Sequence, residues 1–344
     1  MKNISRALSL FCSFTTNLKS VLARGTCFLF LIFPAMFFGC IAADIDNAVQ
    51  TRTESQKISV SQNSEREILT LDAFIFEPTG RLDCYQRLHN PDEVCDIASG
   101  AGDKILLLIA NSGRERYDWT DIRTLSSMKG VYAELENERR DFPLMTWMRE
   151  IKSGQDTSPL FTPARAEIIL RSLSCDFSGL PYAPEKFHAV RAYLTYVNAN
   201  CSLIPREETT HPRFLNSGML NEEDILPFTE RDIIIQDIGE IVGNNVLTLN
   251  RSFLCFANEP GYESIGSPFT RLVIEGKIGG DTYYYPIKVN QENGGLKRGC
   301  RYILDITITR AGATDPDGSL ELGGLKINME IEEWREKENY TVGF

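Results

Sequence analysis

Short stretches of β-type patterning recur along this chain, and they stop at turn residues instead of running on into helical periods. Ile68-Leu69-Thr70-Leu71-Asp72-Ala73-Phe74-Ile75-Phe76 is rich in strand formers and ends at Glu77-Pro78-Thr79-Gly80, a turn signal. Lys104–Ala110 is a continuous apolar run closed by Asn111-Ser112-Gly113, the pattern of a strand buried on both faces. Ala166–Leu173, Val190–Val197, Phe253–Ala257, Arg271–Ile278 and Tyr283–Val289 also read as strands. Two later stretches alternate strictly. Tyr302, Leu304, Ile306 and Ile308 interleave with Ile303, Asp305, Thr307 and Thr309, and Leu325, Ile327, Met329 and Ile331 interleave with Lys326, Asn328, Glu330 and Glu332. The second set opposes an apolar face to a charged one, as in a half-buried strand. One helix is expected over Trp119–Met128, with Asp118 or Thr120 at its start and Gly130 at its end. A polar, irregular segment follows from Pro205 to about Gly239.

Many short strands with turn signals and little helix predict an all-β chain of β-sandwiches. The Gly179-Leu180-Pro181-Tyr182-Ala183-Pro184 break places a domain boundary near residue 184, giving sandwiches over 67–184 and 185–344.

The N-terminus belongs to neither. Residues 1–39 carry Lys2, Arg6, Lys19 and Arg24, no acid, and the apolar run Cys27–Phe38. A basic start followed by about a dozen apolar residues is a secretory signal, too short for a comfortable membrane span. Gly39-Cys40 closes the run as the lipobox of bacterial lipoproteins does, so Cys40 is expected to be lipidated and to hold the protein to the outer membrane. Residues 40–66 are polar and read as a tether with one strand-like alternation at Ile58-Ser59-Val60.

Removing the signal deepens the formal charge from −11 to −15, which argues against a nucleic-acid partner. Of nine cysteines, two leave with the signal and Cys40 is the lipid site. Among the other six there is no CxxC pair, which removes zinc-ribbon and thioredoxin-type chemistry. Cys84 and Cys95, which flank a loop of ten residues in an exported chain, are the pair best placed for a disulfide. His89, His188 and His211 are scattered, and no GxSxG, P-loop, HExxH or GxGxxG occurs. No cofactor, metal or enzymatic activity is expected.

Several segments together resemble the fimbrillin family of the Bacteroidales, the subunits of type V pili. They are Leu69–Phe76 with its turn, Lys104–Gly113, Leu144-Met145-Thr146, Ala166–Leu173 and Tyr193–Asn198. The C-terminal part carries Tyr284-Tyr285-Pro286-Ile287, Arg301–Ile308 and Ile331-Glu332-Glu333-Trp334 followed by ten residues. The resemblance spans nearly the whole chain after the signal. It implies two transthyretin-like, Greek-key β-sandwich domains and assembly into a pilus with other subunits by strand exchange. In that scheme an N-terminal strand covers a groove until a trypsin-like protease cuts after an arginine, and a neighbour's strand then fills the vacancy. Mapped here, the covering strand is Lys57–Ser61 with Ile58 and Val60 inward. The cut follows Arg66, with Arg52 second, and the donor is the tail with Tyr340, Val342 and Phe344 at alternating positions. Stalk, tip and anchor subunits remain open, as does a monomeric surface lipoprotein that binds glycan or host protein.

Overall fold

The computed structural model describes residues 53–59, 67–91, 94–113, 117–183, 186–205, 211–241, 245–320 and 324–333. The first sandwich comprises β1 (Thr53–Ser59), β2 (Thr70–Phe76), β3 (Leu82–His89), β4 (Val94–Gly100), β5 (Asp103–Ala110), the single turn α1 (Leu125–Met128), β6 (Tyr132–Glu134), β7 (Met145–Lys152) and β8 (Thr162–Pro163). Five of these strands form one antiparallel sheet in the order β3-β2-β5-β7-β8. Its central strands are buried on both faces, as the unbroken apolar run of β5 requires. Phe74, Phe76, Leu107 and Ile109 point into the larger of two cores. Leu71, Ala73, Ile75, Leu106 and Leu108 point the other way into a smaller core, where Ile58, Cys95 and Ile97 of a two-stranded β1–β4 ribbon meet them.

The helix is shorter than expected. Thr124 caps it in a reciprocal capping box with Ser127, and Asp118 instead accepts the Thr120 N–H at 2.9 Å in a local turn. Residues just upstream of α1 are held strand-fashion: Leu82 N–H bonds Arg123 O at 2.9 Å and Leu125 N–H bonds Gly80 O at 2.8 Å. Those contacts take the backbone groups that a longer helix would have used.

The second sandwich comprises β9 (Arg165–Cys175), β10 (Phe187–Thr195), β11 (Val197–Asn198), β12 (Asn200–Ser202), β13 (Phe214–Leu215), β14 (Ile235–Ile241), β15 (Leu247–Phe256), β16 (Arg271–Ile278), β17 (Asp281–Lys288), β18 (Cys300–Ile308) and β19 (Leu325–Glu333). Its sheets are β15-β9-β18-β19 and β14-β10-β16-β17. Ala166, Ile168 and Leu170 of the first share a core with Ala192, Leu194, Leu272 and Ile274 of the second. β9 pairs with β15 on one side and runs parallel to β18 on the other. Residues 165–183 therefore belong with the second sandwich, and the change of domain comes before β9 rather than near residue 184. The Gly179–Pro184 break lies on the route from one sheet of the second sandwich to the other.

Chain crossings bind the two sandwiches together. β6 pairs with β12. Arg298 donates to Thr146 Oγ1 at 2.5 Å and to Ser202 O at 3.4 Å. The buried Arg165 guanidinium donates to the carbonyls of Arg139 and Arg140 at 2.5 and 3.0 Å. The outer strand β19 keeps its expected alternation, but its apolar face is only partly covered: Ile327 and Ile331 are 45% and 44% exposed.

Candidate strand-binding groove

The smaller core has a thin cover. Across the face made by Leu71, Ala73, Ile75, Leu106 and Leu108 lies the β1–β4 ribbon, in register from Thr53 opposite Gly100 to Ser59 opposite Val94. β1 is bonded along both edges. On the side away from β4, Ser59 N–H donates to Thr157 O at 2.8 Å and Thr157 N–H donates to Lys57 O at 2.9 Å. A strand seated between two partners, with an apolar floor beneath it, occupies a groove.

Period-two geometry decides what β1 turns inward. Ser55 and Lys57 face solvent, and Ser55 Oγ donates to Asp96 Oδ1 at 3.1 Å. Gln56 and Ile58 are completely buried. Ile58 packs on the apolar floor. Gln56 Nε2 donates to Thr157 Oγ1 at 3.0 Å and to the carbonyl of Gln155, with a longer contact to Lys57 O at 3.3 Å. Gln56 Oε1 has no partner among the described residues. The groove thus has an apolar seat at Ile58 and a polar one at Gln56.

The ribbon's far end is pinned by Asp83, which accepts from Gly100 N–H at 2.9 Å and pairs with the buried Lys104 ammonium at 2.9 Å. Burial works to raise the Asp83 carboxyl, but the Lys104 and Gly100 hydrogen bonds outweigh it and hold the group below its ordinary value. At the other end Asn111 ties down the chain that enters β2. Its side chain accepts from Leu69 N–H at 2.9 Å and donates to Glu67 O at 3.0 Å and Pro143 O at 3.2 Å.

The covering strand begins four residues earlier than expected, at Thr53, and its described part ends at Ser59. Cys40, Arg52, Val60, Arg66, Tyr340, Val342 and Phe344 all lie outside the described residues. Of the two cysteines expected to pair, Cys84 lies on β3 of the five-stranded sheet, and Cys95 on β4 of the ribbon, in the smaller core. Burial raises the Cys84 thiol, and the neighbouring Asp83 adds to the effect. Burial pushes the Cys175, Cys201 and Cys255 thiols up to about 12, as expected of inert core cysteines. Among the described residues no cluster of three or more His, Cys, Asp or Glu could hold a metal, and no helix is long and apolar enough to cross a membrane. Local patterning missed Gln56, Gln155 and Thr157. A buried glutamine looks like an exposed one in sequence, and Thr157 reaches β1 only through tertiary contact.

No protein-family model matches the chain, and no curated protein does either. Solved structures do. A chain from Bacteroides eggerthii DSM 20697, provisionally named a cell adhesion protein, superposes with a TM-score of 0.63 at 14% identity, covering 82% of this chain and 96% of its own. A second of that kind, from Parabacteroides distasonis ATCC 8503, gives 0.58 at 15% identity, covering 82% and 100%. A fimbrilin from Porphyromonas gingivalis W83 gives 0.61 at 13% identity, covering 82% and 97%. The chain has the two-sandwich, all-β fold of that fimbrilin and of these Bacteroidales cell-adhesion chains.

Proposed function

We propose that this chain is a non-enzymatic pilus subunit, exported as a lipoprotein precursor and polymerised at the cell surface by strand exchange. The observation that carries the reading is β1. It is held on both edges, covers an apolar sheet face together with β4, and is followed within a few residues by Arg66. Cutting after Arg66 severs β1 from the body of the protein, whereas cutting after Arg52 leaves all of Thr53–Ser59 attached. Once β1 leaves, β4 and Thr157 each present an unpaired edge over exposed aliphatic side chains, the template that a neighbour's strand completes. The fimbrilin likeness supports the same role. In this reading the partners are other pilus subunits and a trypsin-like protease, and lipid on Cys40 carries the precursor to the outer membrane.

Mild trypsin on the purified precursor tests the release step. The expected product begins at Glu67 and is otherwise intact. The Arg139-Arg140 pair should survive, because Arg165 holds both of their carbonyls inside the domain junction. Breakdown of the core, or a tether that resists all cutting, ends the strand-release model.

Lipidation has its own test. Cys40→Ala should abolish labelling by a clickable fatty acid and free the protein from the membrane fraction; labelling that persists excludes Cys40.

One observation favours a second role, that of an anchor that stays uncut. Ile68 is only 2% exposed and Asn111 clamps both Glu67 O and Leu69 N–H, so the chain just after Arg66 is hard for a protease to draw into its cleft. The N-terminal residue of the protein taken from cells separates the two. Glu67 marks a processed, polymerising subunit, and lipidated Cys40 marks an anchor.

A further inference from the structure

Strand exchange explains why a groove exists but not what tells a correct strand from any other apolar strand. Here the polar seat matters. Gln155 O and Thr157 Oγ1 face the space that the Gln56 side chain fills, and Gln56 Nε2 is the donor that satisfies them. Thr157 Oγ1 otherwise reaches Gln155 O only at 3.4 Å. A purely apolar strand in this groove would leave the buried Thr157 hydroxyl with only that long contact to the carbonyl of the exposed Gln155, a loss comparable to that of a buried hydrogen bond. Apolar burial attracts many strands, whereas a buried hydroxyl rejects those that cannot answer it.

We infer that the seat of Gln56 selects the incoming strand, and that the occupant it fits is the C-terminal tail of a second copy of this chain with Tyr340 in the Gln56 position. This rests on the strand-exchange reading above. The argument is one of register. The inward positions of the described leaving segment are Glu54, Gln56 and Ile58, and the sequence puts Val60 next in the same period. Laid on it in the same chain direction, the tail reads Glu338, Tyr340, Val342 and Phe344. The two series agree position by position: an acid, a hydrogen-bond donor, an aliphatic branched at Cβ, and a larger or equal apolar residue. Asn339, Thr341 and Gly343 fall at the outward positions of Ser55, Lys57 and Ser59. A shift of one residue would turn Thr341 and Gly343 inward and the three large side chains to solvent, so the register is strongly specified. The tyrosine hydroxyl both donates and accepts, so it meets Gln155 O and Thr157 Oγ1 with one atom. The incoming strand therefore runs antiparallel to β4, as β1 does.

Uptake of fluorescent peptides by full-length protein nicked with trypsin tests this directly. The wild-type peptide 335–344 should enter and displace β1. A Tyr340→Phe peptide, which lacks only the hydroxyl, should bind about tenfold more weakly. A Val342→Asp peptide should not bind. With Thr157→Val protein the Tyr-to-Phe difference should shrink, because one of the two groups that reads the hydroxyl is gone. Equal binding of the Tyr and Phe peptides overturns the selective seat, and unimpaired binding of Val342→Asp overturns the register. A peptide of residues 53–61 separates these failures from a deeper one. If neither it nor the tail peptide enters the nicked protein, strand exchange itself is wrong for this chain.

Discussion

Deleting residues 335–344 should leave a folded, lipidated precursor that forms no heat-resistant multimers after proteolysis. The expected size of the effect comes from comparing the two strands that compete for one groove. In its described part β1 buries one large apolar side chain, Ile58, together with Gln56, whose Oε1 is buried without a partner. Leaving such an acceptor unsatisfied costs about 1–3 kcal/mol. The tail brings Tyr340, Val342 and Phe344 on one face. Each large apolar side chain moved from water into the groove contributes roughly 1.5–3 kcal/mol, and because Val342 and Phe344 answer Ile58 and Val60 of the covering strand, the one added side chain, Tyr340, favours exchange by roughly 1.5–3 kcal/mol. The cut also ends the covalent link that returned β1 to its groove at a high effective concentration, and both effects run toward polymer. Electrophoresis of unboiled, trypsin-treated samples reads the outcome. A ladder of multimers from the truncated chain would place the donor elsewhere, and the open apolar face of β19 at Ile327 and Ile331 would be the next place to look.

How much of this was legible in sequence depended on how each strand is buried. β5 and β16 are covered on both faces, and β18 alternates against a full core, so their apolar patterns stood out and their limits agree with the fold to within a residue or two. β3 and β4 escaped notice because Leu82–His89 is mostly half-buried and polar, and Val94–Gly100 puts only Cys95, Ile97 and Ser99 inward. β14 was hidden in a stretch read as irregular, since Gln236 and Ile241 are its only buried residues. The sheet to which β9 belongs is set by parallel pairing with β18, more than a hundred residues away, and no local pattern encodes that. The groove was half legible. Ile58 and its alternation could be read directly, while the polar seat depends on Thr157 and Gln155 arriving from another part of the chain.

Arg87→Ala should cost the first sandwich about 3–5 kcal/mol, the usual penalty for stripping one partner from a buried ion pair. Asp72 is completely buried on β2, directly across from Arg87 on β3. The guanidinium grips it with two bonds, Nε to Oδ1 at 2.6 Å and Nη2 to Oδ2 at 2.8 Å, in the fork geometry that makes arginine hard to replace. The Tyr85 hydroxyl adds a bond of 2.8 Å to Oδ1, and Ser112 Oγ donates to Oδ2. Burial, reinforced by that bond to Asp72, pushes the Tyr85 phenol above its ordinary value, so it stays a donor at any physiological pH. Two hydroxyls can orient the carboxylate, but they cannot neutralise it. With total stabilities of about 5–15 kcal/mol, losing 3–5 is a large share. The consequence reaches the groove, because Leu71 and Ala73, the neighbours of Asp72 along β2, form part of its floor. Urea unfolding of the precursor should show a lower midpoint with an unchanged slope, the signature of lost stability without a change in the surface exposed. Arg87→Lys should fall between the two, since a lysine restores the charge but not the paired bonds. A loss below about 1 kcal/mol for Arg87→Ala would match an exposed pair and would mean that Asp72 is not shut away from water in solution.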